Sequence, residues 1–395
     1  MIRALFRSLG LVFAVLLFAV WLPALFGVYG LFWERYAAGF LTNPMNPGYR
    51  WYRPLETVAG GSTQPLSVSR TAAAAFSAEA LEQAAAYARF YNSDSLLVMY
   101  RGELAFEQYW NTKKPESLFS AHAFTKTLTA ILVGHAIADG RILSVDQPAY
   151  HFLPEWDDEQ HRAITIRDLL GMTSGLQESD DFSPWSQRMQ RIMGTDIIGP
   201  NLAARVSGPP GVTFADINPP AQILGIIIER ATGRRFGDYL SGKLWRPIGA
   251  RDAQLFVDHP GGTAHTDCCM WSVIQDWARV GEALRSGGLW NGERVIPAGW
   301  VGQMITPSVA NPNYGMMVWL GNFHETNHQQ EQATFVSGRH QSEPFAAPTF
   351  FLDGAQLQRV WIVPSKDLVV VRTGSEHPDW DEARLPNLLI RGLTI

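Results

Sequence analysis

The chain has 395 residues, of which 46% are hydrophobic and only 17% are charged, with 24 prolines, 35 glycines and two cysteines. This composition excludes a disordered chain, a collagen-like repeat and a small secreted protein held together by disulfides. Its 32 Lys and Arg residues are outnumbered by 37 Asp and Glu residues, for a formal net charge of -5, so no basic excess predicts a nucleic-acid partner.

Apolar residues are concentrated at the N-terminus of the chain. Residues 8–33 contain no charged residue and follow Arg3 and Arg7, and a run of this length suffices to span a bilayer. Because a signal peptide has a shorter apolar region and a small-residue cleavage site, we predict an uncleaved membrane anchor over residues 1–33, with a cleaved signal or a buried core helix as alternatives. The two arginines favour a cytoplasmic N-terminus, so we expect a single-pass protein of the bacterial inner membrane with a periplasmic domain.

The remainder of the chain divides into a connector and a domain. Residues 34–70 are rich in Pro, Gly and aromatic side chains, which predicts an irregular connector. The globular domain is expected over residues 71–395. Near its start, Ser77 is a suitable N-cap for an alanine-rich helix that runs to about Phe90.

Strands are predicted towards both ends of the domain. Short apolar runs at residues 95–100 and 103–110 predict one hairpin, and β-rich runs at 359–363 and 368–372 predict another. The chain between them is mostly helical, and the helical patterns there and near the C-terminus cover residues 124–138, 165–170, 222–231 and 380–393. The expected fold class is therefore α/β, in the form of an α+β sandwich: an antiparallel sheet flanked by helices, beside a mainly helical lobe.

Several segments of this domain together resemble one enzyme family. The clearest are residues 119–142 (FSAHAFTKTLTAILVGHAIADGRI), 165–176 (TIRDLLGMTSGL) and 244–249 (LWRPIG). In order and spacing they resemble the serine β-lactamase-related hydrolases, which include class C β-lactamases, DD-peptidases, esterases and 6-aminohexanoate-dimer hydrolases. The resemblance covers roughly residues 90–392. It implies a β-lactamase/transpeptidase-like fold and acyl transfer from a small-molecule, peptide or ester substrate through an acyl-enzyme.

The family's nucleophile is the serine of an S-x-x-K motif, in which residues i and i+3 share a helix face and the lysine takes the serine proton. Lys126 matches the lysine and so implies a general base, but the nucleophile position is Ala123. A methyl group cannot attack a carbonyl. Three explanations stay open: a serine changed to alanine in an otherwise intact motif, a natural loss of activity, or a displaced nucleophile. Ser120 is a poor substitute because it lies six residues from Lys126, nearly on the opposite face of a helix.

The second family motif is Y-x-N or S-x-N, and its place is taken by Asp216-Ile217-Asn218. The resemblance implies that Asn218 hydrogen-bonds the substrate amide. Asp216 departs from the expected tyrosine. A carboxylate near Lys126 would raise the pKa of the lysine and oppose its use as a free base; alternatively, Asp216 accepts a proton itself or is a turn residue before two prolines.

The third motif, K-T-G or H/W-x-G, corresponds to Leu352-Asp353-Gly354. Gly354 matches, and the resemblance implies an oxyanion hole made by the backbone N–H groups of residue 123 and Ala355, with Asp353 beside it in the substrate cleft. No lysine or histidine stands at position 352, which argues against a carboxylate-recognising β-lactamase and favours neutral amides or esters.

Other candidate residues carry weaker signals. Tyr314 lies in a segment that resembles a family segment near the cleft, so it is expected either to stack on substrate or to pack in the core. A cluster of His, Asp and Cys side chains matches no zinc template and is predicted to be a loop with a hydrogen-bonded histidine and buried cysteines; it comprises His259, His265, Asp267, Cys268 and Cys269. No metal and no cofactor is predicted.

Together these features predict a membrane-anchored serine hydrolase of the β-lactamase-related family, inactivated here by alanine at position 123. The alternative is a natural pseudoenzyme that binds a peptide, glycan or lipid-linked ligand or that organises a membrane complex. The sequence identifies no protein partner.

Overall fold

The computed structural model describes residues 30–42, 51–61, 64–321 and 340–394. Most of the predicted anchor, residues 1–29, and residues 43–50 of the predicted connector lie outside this part of the chain. Within the described ranges, no helix is both long enough and apolar enough to cross a membrane.

Two antiparallel sheets and a short ribbon contain the described strands. The main sheet has six strands in the order β3-β2-β12-β11-β10-β9, the second has the order β1-β5-β6-β4, and β7 pairs with β8. The strands are β1 Leu55–Val58, β2 Ser93–Tyr100, β3 Glu103–Tyr109, β4 Leu118–Ser120, β5 Ala253–Phe256, β6 Met270–Val273, β7 Leu289–Trp290, β8 Glu293–Arg294, β9 Trp319–Leu320, β10 Phe350–Gly354, β11 Gln358–Val363 and β12 Leu368–Gly374.

Helices cover the main sheet and build a separate lobe. They are α1 Gly30–Thr42, α2 Arg70–Ala73, α3 Ala78–Phe90, α4 Phe124–Ala138, α5 Glu159–Arg162, α6 Ile166–Leu170, α7 Gln187–Met193, α8 Ile198–Leu202, α9 Pro219–Thr232, α10 Phe236–Leu240, α11 Ile274–Arg285, α12 Trp300–Met304 and α13 Arg384–Arg391. Single turns of 3-10 helix cover Ala149–His151 and Pro364–Lys366, and a π-helical turn covers Ser241–Trp245. The α+β architecture predicted from the sequence is confirmed.

Local signals account for the elements that frame the sheet. Arg101 and Gly102 adopt positive φ values of 50° and 83° and join β2 to β3 in a tight hairpin. The Ser77 side chain accepts a hydrogen bond from the N–H of Ala80 and caps α3. Helix α11 lies against the sheet at Gly281, where a Cβ atom would fall 2.6 Å from a methyl of Val369. A glycine is therefore required there for the helix to reach the sheet.

The predicted connector over residues 34–70 is wrong where the structure describes it. Strand β1 pairs with β5, with Leu55 opposite Phe256, and α1 runs across the predicted boundary at residue 33. The Pro- and Gly-rich composition concealed these elements, because a strand of four residues and a short helix leave little periodic signal. The folded part of the chain therefore begins well before residue 71.

Arg35 fixes α1 to the rest of the protein. Its side chain is buried, and its guanidinium lies 4.3 Å from the ring centre of Tyr52. The guanidinium donates hydrogen bonds of 2.6–3.3 Å to the backbone carbonyls of three separate segments, at Arg53, Met193, Gly194, Val257 and Asp258. A buried charge is tolerated here because every N–H group that it presents has an acceptor.

Candidate active site

The start of α4 forms the floor of the candidate site. Ala123 is the N-cap of this helix, and Lys126 follows in its first turn with only 6% of its surface exposed. Residues three apart on a helix share a face, so the structure places Lys126 beside position 123 as the S-x-x-K spacing requires. Ser120 lies in β4, before the helix begins, and not on the opposite helix face as the sequence suggested.

A pocket of about 180 Å³ opens above Ala123. It brings together three of the predicted site residues, Ala123, Asn218 and Ala355. Its other walls come from distant parts of the chain: Tyr52, Ser120, His122, Glu178, Arg191, Ile192, Asn201, Phe256, His265, Asp267, Cys268 and Cys269.

Lys126, which is buried, forms an ion pair with the partly exposed Asp216. The Lys126 Nζ donates to Asp216 Oδ1 at 2.9 Å and to the Ile217 carbonyl at 3.3 Å. Burial lowers the pKa of Lys126, but the nearby carboxylates, chiefly that of Asp216, outweigh it, so the pKa is raised overall. The lysine is therefore held as an ammonium ion, and Asp216 is part of the site rather than a simple turn residue.

Asn218 stands at the N-terminus of α9, immediately before two prolines that start the helix. Its backbone N–H donates to Glu178 Oε2 at 3.3 Å, while its side chain makes no capping bond to the helix and lines the pocket. The position suits an amide that contacts a ligand, as the family resemblance implies.

Ala123 and Ala355, whose backbone N–H groups the family resemblance assigns to the oxyanion hole, both line the pocket. Within the described residues, no backbone–backbone hydrogen bond outside the regular helices and strands has the N–H of Ala123 or of Ala355 as its donor. The end of β10 comes so close to the start of α4 that a Cβ atom on Gly354 would lie 3.0 Å from the Ala121 carbonyl oxygen. The glycine thus permits the approach that brings the two N–H groups to one pocket.

Asp353 and Tyr314 do not line this pocket. Asp353 pairs with the buried guanidinium of Arg359, which also contacts Glu382. Tyr314 is buried in the core, with its ring centre 4.9 Å from that of Phe214. Of the two roles open to Tyr314 from the sequence, the structure places it in packing.

Several pocket residues carry no motif in the sequence. Tyr52 belongs to the predicted connector, yet it stacks on Phe256 at 4.2 Å and its hydroxyl lies 2.6 Å from His265 Nε2. The Glu178 side chain is only 10% exposed, and that of Arg191 on α7 is only 5% exposed. Glu178 and Arg191 lie between α6 and the second motif along the chain. Sequence spacing alone does not predict that their side chains reach the pocket.

The cysteines form a disulfide rather than a pair of buried thiols. Cys268 and Cys269 are bonded to each other, and Cys269 has a positive φ of 78°. His265, Asp267 and Cys268 bring possible ligand atoms within 4.8 Å of one another. Because the thiolate is the metal ligand, the bonded sulfur of Cys268 is not available, and we assign no metal here. The predicted hydrogen bond of His265 is present, with Tyr52.

Asp267 gives the pocket a testable pH dependence. Burial raises the pKa of this carboxyl to about 6, above its value in the unfolded chain, so its charge opposes folding above pH 6 by up to about 3 kcal/mol. This penalty is absent at low pH and appears as the pH rises through about 4 to 6. We expect Asp267→Asn to leave stability unchanged near pH 4 and to increase it at pH 8, as measured by urea unfolding.

The matched control for this measurement is the exposed Asp157. Asp157→Asn should shift the unfolding midpoint by little at either pH. An equal effect of Asp267→Asn at pH 4 and pH 8 would contradict the prediction.

An antiparallel sheet flanked by helices, with a lysine one turn into a buried helix, agrees with the class of β-lactamase-like serine hydrolases that the sequence resembles. Residues 78–391 match the Beta-lactamase family. This match covers most of the chain, and the protein therefore belongs to the Beta-lactamase family.

Individual relatives agree with this assignment. The chain is 26% identical over 230 residues to a 6-aminohexanoate-dimer hydrolase of Paenarthrobacter ureafaciens, a match that covers 54% of this chain and 57% of that protein. It is 27% identical over 180 residues to the esterase EstB of Burkholderia gladioli, covering 41% of this chain and 45% of the esterase. The chain thus spans about half the length of the curated relatives that it matches.

A solved structure extends the likeness over most of the fold. The penicillin-binding protein homolog of Caulobacter crescentus superposes with a TM-score of 0.61 at 17% identity, over 83% of this chain and 98% of that one. At this identity the likeness concerns the fold alone.

Proposed function

We propose that this protein is the scaffold of an acyl-transfer hydrolase that acts on a small amide or ester, and that Ala123 blocks its covalent step. The observation that carries the proposal is the pocket itself, which Ala123, Asn218 and Ala355 line, with Lys126 buried in the first turn of the helix that Ala123 caps. The 6-aminohexanoate-dimer hydrolase and esterase relatives support amides and esters as the substrate class.

With serine at position 123, the chemistry proceeds through defined proton movements. The Lys126 ammonium first passes a proton to Asp216 along their 2.9 Å hydrogen bond, a transfer that the raised pKa of Lys126 makes unfavourable. The neutral amine then takes the proton of the serine hydroxyl as its oxygen attacks the carbonyl carbon. The N–H groups of residue 123 and Ala355 hold the oxyanion. The C–N or C–O bond breaks, and the leaving amine or alcohol receives from Lys126 the proton that came from the serine. Water hydrolyses the acyl-enzyme to a carboxylic acid and the free serine, and Asp216 returns its proton to Lys126.

The test is to restore the hydroxyl. We expect Ala123→Ser to gain a covalent adduct with a fluorophosphonate probe, seen as a mass increase of the intact protein, whereas the Ala123 chain gains none. The methyl of Ala123 is the only atom group changed, so pocket and fold are retained. An unlabelled Ala123→Ser form would overturn the acyl-enzyme proposal.

Two further arms identify the alternatives. Labelling of the Ala123 chain that disappears in Ser120→Ala would assign the nucleophile to Ser120, which lines the pocket. Covalent labelling of the Ala123→Ser form by penicillin would favour cell-wall peptidase chemistry, and its failure would count against that chemistry.

A binding protein without catalysis is the second candidate, and Ala123 is the observation that favours it. The pocket, the Asn218 side chain and the backbone donors are all independent of the residue-123 hydroxyl. Under this proposal the Ala123 chain binds an amide or ester reversibly, and Ala123→Ser gives neither adduct nor turnover.

We also propose that residues 1–33 hold the protein in a bacterial inner membrane with the pocket on the periplasmic side. The support is the uncharged run at residues 8–33 and the arginines before it. Fractionation of cells that express the full chain, with protease access from the periplasm as the readout, tests this orientation.

A further inference from the structure

Arg191 is an unusual arginine in the wall of the pocket. It lies on α7 and lines the same pocket as Ala123, with its side chain only 5% exposed. Arginine is rarely buried unless its charge and its N–H groups are paired. The hydrogen bonds of Arg191 therefore show what the side chain is arranged to contact.

Two of the three guanidinium nitrogens of Arg191 have no hydrogen-bond acceptor within the described residues. Its Nη1 donates a long bond of 3.4 Å to the Pro200 carbonyl. Its Nε and Nη2 are buried without a hydrogen-bond acceptor. Glu178 Oε1 lies 3.7 Å from Nη2, which is beyond hydrogen-bond distance. Two adjacent donors on one edge of the guanidinium are therefore enclosed without a hydrogen-bond acceptor, beside the Glu178 carboxylate.

The other deeply buried arginines differ in this respect. Arg35 bonds five carbonyls, Arg359 bonds the carboxylates of Asp353 and Glu382, and Arg372 bonds the Ser93 hydroxyl and four carbonyls. Their Nε and Nη2 atoms all have acceptors. Arg188 and Arg251 each have a buried Nε without an acceptor, but among the described arginines Arg191 has two such nitrogens and also lines the pocket.

Of the two cationic side chains Lys126 and Arg191, Arg191 is the one placed to bind an anionic ligand in the pocket. Lys126 is already bonded to Asp216. Glu178 and Asp267 also line the pocket. Glu178 accepts the Asn218 N–H through Oε2, while its Oε1 lies 3.7 Å from Nη2, beside the Nε/Nη2 edge of Arg191. An incoming anion would meet the guanidinium at that edge and would compete there with Glu178.

We propose that Arg191 binds a carboxylate group of the ligand through Nε and Nη2. These two N–H groups point in parallel and match the two oxygens of a carboxylate, which is the strongest geometry that arginine offers. This inference rests on the proposed function, because it takes this pocket as the substrate site. It narrows the substrate class to amides or esters that carry a carboxylate. The sequence favoured neutral substrates because position 352 lacks a cation; here the cation comes from the opposite lobe.

The experiment uses the chain with Ala123 in place, so that binding is measured without acyl transfer. The probes are N-hexanoyl-6-aminohexanoate and its primary amide, which differ only in the carboxylate, and the readout is titration by NMR or calorimetry. We expect the carboxylate to bind at least about tenfold more tightly than the amide. Arg191→Met should remove this preference, and Glu178→Gln should increase the affinity for the carboxylate.

Arg188→Met is the matched control, because Arg188 lies on the same helix but does not line the pocket; it should keep the preference. Equal binding of the two probes, a preference that survives Arg191→Met, or no binding of either up to about 10 mM would overturn the proposal.

Protein stability provides a second readout. Because Arg191 makes few bonds, Arg191→Met should leave the urea midpoint unchanged or raise it. A clear fall would assign Arg191 to a structural ion pair with Glu178 and would also overturn the proposal. None of these binding and stability measurements uses the nucleophile. A negative result would therefore overturn the carboxylate-binding proposal without changing the labelling expected of Ala123→Ser, and the two proposals can be tested separately.

Discussion

In the Ala123→Ser form, replacing Lys126 with methionine is expected to slow formation of the acyl-enzyme about 1000-fold, the middle of the range for loss of a general base. In the proposed mechanism Lys126 Nζ, one helical turn from position 123, accepts the serine proton after it has passed its own proton to Asp216, and methionine fills the same space without a basic atom. The rate of fluorophosphonate labelling, followed by intact mass at a fixed probe concentration, measures the effect directly.

Removal of Lys126 also leaves the Asp216 carboxylate without its partner, which could unfold the site. The double change Lys126→Met with Asp216→Asn removes both charges and should fold while staying slow. Lys114→Met, at an exposed position, should label at the parent rate. Fast labelling of a folded Lys126→Met form would exclude Lys126 as the base.

The second large effect concerns stability. We expect Arg359→Met to lower the free energy of unfolding by about 3–5 kcal/mol, because it leaves the buried carboxylate of Glu382 without its partner. Arg359 is 1% exposed and its Nε donates to Glu382 Oε1 at 2.5 Å. Urea unfolding followed by tryptophan fluorescence measures the change.

Two variants separate burial from simple loss of a charge. Arg359→Met combined with Glu382→Gln should recover part of the stability, since the more deeply buried carboxylate, that of Glu382, is no longer present. Arg391→Met removes an exposed ion pair with Glu343 and should cost at most about 1 kcal/mol. Equal losses for Arg359→Met and Arg391→Met would show that burial of the Arg359 network contributes little.

Much of the fold could be predicted because its signals are local. The predicted helix over residues 124–138 matches α4 residue by residue, and the capping serine and the Arg101-Gly102 turn lie where the sequence places them. A helix period, a cap or a tight turn depends on a few neighbouring residues, and those are visible in one sequence.

The site was predictable only where a family motif stands. Lys126, Asn218 and Gly354 follow from order and spacing along the chain. Tyr52 and Arg191 reach the pocket from segments that carry no motif, and their contacts depend on how distant elements pack. For Asp353, a family motif led to a wrong expectation. Its position in the motif predicts that it lies in the cleft, but its carboxylate forms an ion pair with the buried Arg359 on the neighbouring strand.

The described residues before position 78, where the family match begins, contact the domain and so determine which fragments of the protein should be prepared. The bonds of Arg35 to the carbonyls around residues 193 and 257, and the stacking of Tyr52 on Phe256, support two sides of the pocket. A fragment begun at residue 71 or 78 would lose β1, Arg35 and Tyr52, exposing the edge of β5 and opening one wall of the pocket. Crystallisation, ligand screening and kinetics therefore need fragments that start no later than residue 30, since a shorter one would report on a damaged pocket.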